Sequence, residues 1–562
     1  MVMSSYKFIS VLLFALLMQL VTSVVYAESK SDVKLVLQIT VDGLRADLIN
    51  RYQKNFTEGG FRYLMEEGVV YTNAHYQHAN TETIVGHTTL ATGAFPSIHG
   101  MVGNVWFDRE AGELAYNIED PDSPLIPTRK DIVTGEQLDP SQKLSRTKGR
   151  SPDAILAATL SDGLAAYYVG RSKIFGVSGK DRSAVAMAGH VGKAFWYSTN
   201  TGDMVTSKYY YDDYPQWASD WNALRKAEKH AGTSWQLSNE KSTYLLAAQD
   251  DRPYEADLKG YGRVFPHPFG KVDDKLFPTR LLVSPVGDQL LLDFSKTLIS
   301  AEQLGQDDIP DYLSISFSAV DVVNHFFGPS SLENEDVVLQ LDRTLADLFK
   351  YIDKTVGLKN TLIVLSADHG MADMPEYMTE QGYKVGRIKQ EKLIEIANEV
   401  GKKQFAIDKV VRFFFRPYMY LDEEKISKAK LKQSDVERAI AAALSESEGI
   451  ALAVPSSGFS SLQTSPVVEQ IQRNFHPSRS GDIYIAQAPY WFLFESGPIS
   501  AMHGSPWRYD THVPIIFAGA GIDSEVVHRL VHPVDVAPTI ANFLGMTPPS
   551  SAQGVPLVEV FE

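Results

Sequence analysis

Four short apolar runs restrict the fold most, because each stops at or lies beside an acidic or imidazole side chain. Val33 to Val41 (VKLVLQITV) ends at Asp42-Gly43. Tyr312 to Val320 (YLSISFSAV) ends at Asp321, with His325 following shortly after. Thr361 to Ala367 (TLIVLSA) ends at Asp368-His369-Gly370. Val513 to Ala518 (VPIIFA) has His503 shortly before it, in MHGSPW. The runs are rich in β-branched residues and too short for core helices, so they read as buried parallel strands. Val337 to Val356 between them repeats apolar residues at helical spacing. The alternation predicts an α/β fold with a mostly parallel central sheet flanked by helices. Ligands of such sheets collect beyond the carboxyl ends of the strands. Three strands would therefore deliver an Asp to one edge.

A single Asp after a strand is usually a turn residue or a helix cap. Three of them, coupled to His325 and His369, point instead to metal binding. The chain has no cysteine in 562 residues. That excludes disulfides, thiolate metal sites and Cys nucleophiles, and leaves His and carboxylates as the ligands. Asp42, Asp321, His325, Asp368, His369 and His503 suit two Zn²⁺ ions, although Mn²⁺, Mg²⁺ or Ca²⁺ could fill some positions. The formal charge of −16 argues against broad nucleic-acid binding. It leaves an anionic substrate open, since local cations override the global field.

Phe8 to Val25 is almost wholly apolar, and Val25-Tyr26-Ala27 offers small residues at a cleavage site. We read residues 1–27 as a signal peptide cut after Ala27, with an uncleaved anchor as the alternative. No later run is long enough to span a membrane. The mature chain, from residue 28, is expected in the periplasm or outside the cell.

Asn80 to Asn104 reads NTETIVGHTTLATGAFPSIHGMVGN. Thr83 to Thr92 can form a helix that Gly93 stops. A hydroxyl at a helix N-terminus beside a cation suits a nucleophile. Composition does not choose between Thr81 and Thr83, and either could be a plain N-cap.

Here the chain resembles the alkaline phosphatase superfamily. It is most similar to the branch of type I phosphodiesterases/nucleotide pyrophosphatases and Thr-nucleophile, phosphate-irrepressible alkaline phosphatases. Thr81-Glu82-Thr83-Ile84-Val85-Gly86-His87 is similar to the motif T-x-T-x-P-[NG]-H, with Val85 in place of Pro. His99 to Asn104 (HGMVGN) is similar to HGI-V-x-N, and the likeness runs from about Lys34 to the end, including Val534 to Thr539. The resemblance implies Thr83 as nucleophile and Asn104 as a phosphoryl-oxygen contact. It implies one zinc on Asp321, His325 and His503, and a second on Asp42, Asp368, His369 and the Thr83 oxygen. His87, His99 and His512 fall inside motifs but read as structural.

Monoesters carry more negative charge than diesters, so a monoesterase should offer extra cations. Lys180 and Arg182 lie in GVSGKDR, between Tyr167 to Phe175 and AVAMAGH, both read as strands. They resemble the Lys-x-Arg element of the phosphomonoesterases. A solvated turn with a surface ion pair is the plainer alternative. The expected function is an alkaline phosphatase using two zinc ions and a phosphothreonine intermediate. The alternative is a phosphodiesterase or nucleotide pyrophosphatase on the same frame. A formylglycine sulfatase is disfavoured, because Thr83 cannot be converted. The expected partners are small phosphorylated substrates, without nucleic acid, and the chain is expected to be a monomer. Two insertions should interrupt the core. Residues 191–300 are rich in aromatics. Residues 376–490 read as a small α/β module, with helices at Gln390 to Val400 and Asp435 to Ser447, and strands at Val410 to Leu421 and Gly449 to Val454.

Overall fold

The computed structural model describes residues 32–128, 139–459, 465–494 and 499–562. The expected leader, residues 1–27, lies outside them. The central strands are β1 (Leu35–Val41), β2 (Val69–His75), β3 (Ile174–Ser178), β4 (Lys193–Tyr197), β5 (Met204–Val205), β6 (Asp311–Phe317), β7 (Thr361–Ser366), β8 (His512–Gly519) and β9 (Glu525–Val527). They form one nine-stranded sheet in the order β9-β2-β8-β7-β1-β6-β3-β4-β5. The run β7-β1-β6-β3-β4 is parallel, while β8 is antiparallel to both β7 and β2.

β1 is buried along its whole length. Its alternate residues Leu35, Leu37, Ile39 and Val41 enter one core layer, and Val36 enters the layer on the opposite face. Strands buried on both faces lose the in–out polarity pattern and read as continuous apolar runs. The helices that matter to the site are α1 (Thr83–Thr92), α2 (Asp181–Ala188), α3 (Pro285–Ala301), α4 (Ala319–Phe327) and α5 (Leu332–Thr355). Among the described residues, no helix is long and apolar enough to cross a membrane.

The stretch 191–300 starts and finishes on core elements, since β4 pairs with β3 and α3 packs against α5. The stretch 376–490 carries its own four-stranded antiparallel sheet, helices that include the long Gln390–Phe405 and Gln433–Ser445, and a separate apolar core. The run Val410 to Leu421 is not one strand. It is a hairpin of Val411–Phe415 and Tyr418–Leu421 turning at Arg416-Pro417. Proline has no N–H to give a ladder, so the strand breaks there.

α5 begins with three buried acidic residues, Glu333, Glu335 and Asp336. Burial, then the charge of Glu333, pushes the Glu255 carboxyl from the ordinary 4.5 up to about 9. Burial likewise raises Glu333. The groups around the pair are Asp250, Asp336, Lys241, Arg252, Arg263 and His267, whose Nε2 lies 3.1 Å from Glu333 Oε1. A carboxyl with a raised folded-state pKa contributes stability that is full below its unfolded pKa and lost as pH rises through the folded one. Glu255→Gln is therefore expected to narrow the fall in Tm between pH 6 and pH 9, by a few degrees. Melting curves across that range would read it, and an unaltered pH profile would exclude Glu255 as the source.

Candidate active site

Asp42 sits just past β1, and Asp368 and His369 just past β7. Gly43 has φ of +72°, and a Cβ there would come within 2.9 Å of Asp321 Cβ. Glycine thus lets the end of β1 close on Asp321. The Gly43 N–H donates to Asp368 Oδ1 at 3.1 Å. Asp321 is not on a strand. β6 stops at Phe317, and Asp321 and His325 lie one helical turn apart on α4. The early stop follows from Asp288 on α3, whose Oδ1 accepts the Ser318 and Ala319 N–H groups at 3.0 and 3.2 Å and caps α4.

The six carboxylates and imidazoles gather into two groups, Asp321–His325–His503 and Asp42–Asp368–His369. Within each group the nearest ligand-type atoms lie within 4.8 Å of one another. All three histidines spend Nδ1 on a backbone carbonyl. His325 donates to Ala501 O at 3.0 Å, His369 to Gly370 O at 2.8 Å and His503 to Thr81 O at 2.7 Å. Each Nε2 then faces carboxylates at 3.4–3.7 Å. That is how a protein orients imidazoles toward a metal. Asp42 Oδ1, Asp321 Oδ1 and His369 Nε2 are buried and have no hydrogen-bond partner. Buried polar atoms are normally paired, so the donor set fits divalent cations.

Burial, then the charge of Asp368, pushes the Asp42 carboxyl well above the usual range. Burial would do the same to Asp321, but His325 and Lys180 hold it well below. Burial lowers His369 and His503, which favours the neutral imidazole that ligates metals.

The structure separates Thr81 from Thr83. The Thr81 hydroxyl donates to Ser505 O at 3.0 Å and accepts the Ser505 N–H at 3.1 Å. Thr83 is the first residue of α1, fully buried, and its hydroxyl faces Arg182 Nη2 at 3.4 Å. Helix α1 ends at Gly93 in the left-handed conformation. A Cβ on Gly86 would lie 2.0 Å from the Asp368 carbonyl oxygen. Glycine at that position is what lets α1 press against the end of β7. Asn104 Oδ1 accepts the Ile84 N–H at 3.2 Å, so its side chain caps α1 beside Thr83.

Lys180 and Arg182 do enter the site, but not from a loop between two strands. The stretch Tyr167 to Phe175 is a helix end and a turn that lead into the strand Ile174–Ser178, and AVAMA of AVAMAGH belongs to the buried helix α2. Lys180 is the residue before α2 and Arg182 lies in its first turn. Lys180 Nζ reaches Asp42 Oδ2 at 2.8 Å and also contacts Asp321 Oδ2. Those carboxylates outweigh burial and raise Lys180 to about 12. Arg182 Nη1 donates to Asp139 Oδ2 at 2.6 Å. Asp181 is held by Tyr116, Gln142 and Arg150.

Sequence reading passed over several supporting residues. Glu82, between the two threonines, accepts the Asn104 N–H at 2.5 Å. Arg416 is buried, donates to His503 O at 3.0 Å and lies 3.4 Å from Glu82 Oε1. A lone cation inside the apolar FFFRPYMY was a usable signal for it. His87, read as structural, donates to Thr83 O at 2.9 Å, lies 2.9 Å from Ser316 Oγ and also stands 3.1 Å from Asp368 Oδ2. His99 and His512 are tied to Thr89 and Thr72.

An α/β sheet carrying two buried carboxylate–imidazole groups beside a helix-borne hydroxyl and two cations has the parts of a metal-dependent phosphoryl-transfer enzyme. The sequence model of the type I phosphodiesterase / nucleotide pyrophosphatase family matches residues 36–506, and the chain belongs to that family. It is 31% identical to alkaline phosphatase PafA of Elizabethkingia meningoseptica over 94% of both chains. It is 30% identical to alkaline phosphatase PhoV of Synechococcus elongatus over 96% of this chain and 94% of that one. The crystal structure of wild-type alkaline phosphatase PafA superposes with a TM-score of 0.85, covering 94% of this chain and 99% of that chain at 30% identity. A PafA variant with one threonine, one asparagine, one lysine and one arginine replaced superposes at 0.86 and 30% identity, covering 94% of this chain and 98% of that one.

Proposed function

We propose that this protein is a metal-dependent phosphomonoesterase, an alkaline phosphatase, that works through a phosphothreonine at Thr83. The observation that carries the reading is the Thr83 hydroxyl. It sits at a helix N-terminus, 3.4 Å from Arg182, among the elements that hold the two carboxylate–imidazole groups. The residues replaced in the PafA variant support it. Their threonine-to-asparagine and lysine-to-arginine separations equal those of Thr83 to Asn104 and Lys180 to Arg182. Asp321, His325 and His503 would hold one zinc ion, and Asp42, Asp368, His369 and Thr83 a second. Such ions lower the pKa of a bound hydroxyl and stabilise a leaving oxygen. The Thr83 oxygen attacks phosphorus in line, its bond to phosphorus forming as the ester P–O bond breaks and the alcohol departs. Asn104, Lys180 and Arg182 hold the non-bridging oxygens, over which transition-state charge spreads. Water then attacks phosphorus, the Thr83 O–P bond breaks, and phosphate leaves. The first 27 residues act as a cleaved leader, placing the mature enzyme in the periplasm or outside the cell.

The family description also names diesterases. The two readings part at Lys180 and Arg182, because a fork of guanidinium donors and a lysine point charge match a doubly charged phosphoryl group. On metal-loaded enzyme, kcat/KM for p-nitrophenyl phosphate is expected to exceed that for bis-p-nitrophenyl phosphate. The double variant Lys180→Ala/Arg182→Ala should lose about 10²- to 10⁴-fold on the monoester and far less on the diester. A wild-type preference for the diester would overturn the monoesterase reading.

A further inference from the structure

We infer that the organic group of the ester rests on an apolar wall around Asp321, His325 and His503, which makes alkyl and aryl phosphate monoesters the favoured substrates. The inference rests on the phosphomonoesterase reading and names the substrate class of that site. One cleft combines charged and apolar walls. Asn104, Lys180 and Arg182 line it, and so do Leu282, Val322, Phe326, Phe415 and Met502. Three of these apolar residues are chain neighbours of the first group. Val322 follows Asp321, Phe326 follows His325, and Met502 precedes His503. Val322, Met502 and Phe415 are half-buried, although the cleft belongs to an otherwise buried site.

In-line displacement places the leaving oxygen opposite the attacking one. Arg182 and Asn104 are the residues that meet Thr83 and the start of α1. On this inference, the carbon substituent of an ester oxygen that points away from Thr83 lies on the Val322–Phe415–Met502 side of the cleft. Those side chains offer no donor or acceptor to a charged or hydroxyl-rich leaving group. Covering them with hydrocarbon removes apolar surface from water, a gain roughly proportional to the area covered.

Leaving-group chemistry can be held nearly constant by using n-alkyl phosphates from ethyl to hexyl, whose alcohols differ little in acidity. Wild-type kcat/KM is expected to rise about two- to fourfold per added methylene over the first additions, then level off. Phe415→Ala and the nearly isosteric Val322→Thr should each flatten that rise. A flat or falling wild-type series overturns the inference while hydrolysis itself upholds the monoesterase reading. A steep series unchanged in both variants also overturns it, by placing the contact elsewhere. Failure to hydrolyse any monoester would overturn the functional reading and this inference together.

Discussion

Thr83→Ala is expected to lower kcat/KM on p-nitrophenyl phosphate by about three to five orders of magnitude, leaving only what binding and electrostatics supply without a nucleophile. Thr83 lies at the N-terminus of α1, where the helix dipole favours negative charge, and its hydroxyl faces the Arg182 guanidinium rather than a backbone partner. Thr81, two residues earlier, has its hydroxyl committed in both directions to Ser505. Thr81→Ala should therefore act through stability, lowering Tm while kcat falls far less. Acid-quenched wild type with excess substrate should carry phosphate on Thr83 by mass spectrometry. Full activity in Thr83→Ala, or phosphate mapped to another residue, would remove Thr83 from the chemistry.

Chelation with EDTA is expected to take activity below about 1% and to lower Tm, with Zn²⁺ restoring both. Asp42, Asp321 and Asp368 are fully buried beside one another. Lys180 contacts the first two, and Asp368 lies against His87 and His369. Burying carboxylates is costly unless they are paired or bound to metal. A ligand that binds only the folded state stabilises it by about 2.7 kcal/mol at a hundred times its Kd. Melting temperature thus reads metal binding independently of turnover. Chelated protein with unchanged Tm and undiminished activity would overturn the two-metal assignment.

Much of this site was legible because its chemistry lies where a sequence pattern changes. Asp42, Asp368 and His369 stand where apolar strands stop, and Thr83 stands where a helix starts. The division into two groups came from family resemblance, and the geometry of the side chains agrees with it. Other features were hidden for physical reasons. Helix α2 is buried on all sides, wedged between the sheet and α1, so after Asp181, Arg182 and Ser183 its run AVAMA lacks the exposed polar face that distinguishes a helix from a strand. The early end of β6 depends on Asp288, a cap supplied from another helix. Asp139 and Arg416 act on partners tens to hundreds of residues away. A local pattern can flag such a residue, as the lone cation in FFFRPYMY does, but it does not name the distant partner.

Arg416 also bears on modularity. The hairpin that carries it belongs to the 376–490 stretch, which has its own sheet and core and looks separable. Yet Arg416 grips His503 and Glu82, Asn474 holds the Asn80 N–H and the Val102 carbonyl, and Arg479 donates to Gly100 O. These ties reach both ends of the segment 80–104 that carries Thr83. A shortened enzyme made by excising that stretch would lose the buttress behind Thr83, so the smallest working catalyst is larger than the parallel sheet and its strand-end residues suggest.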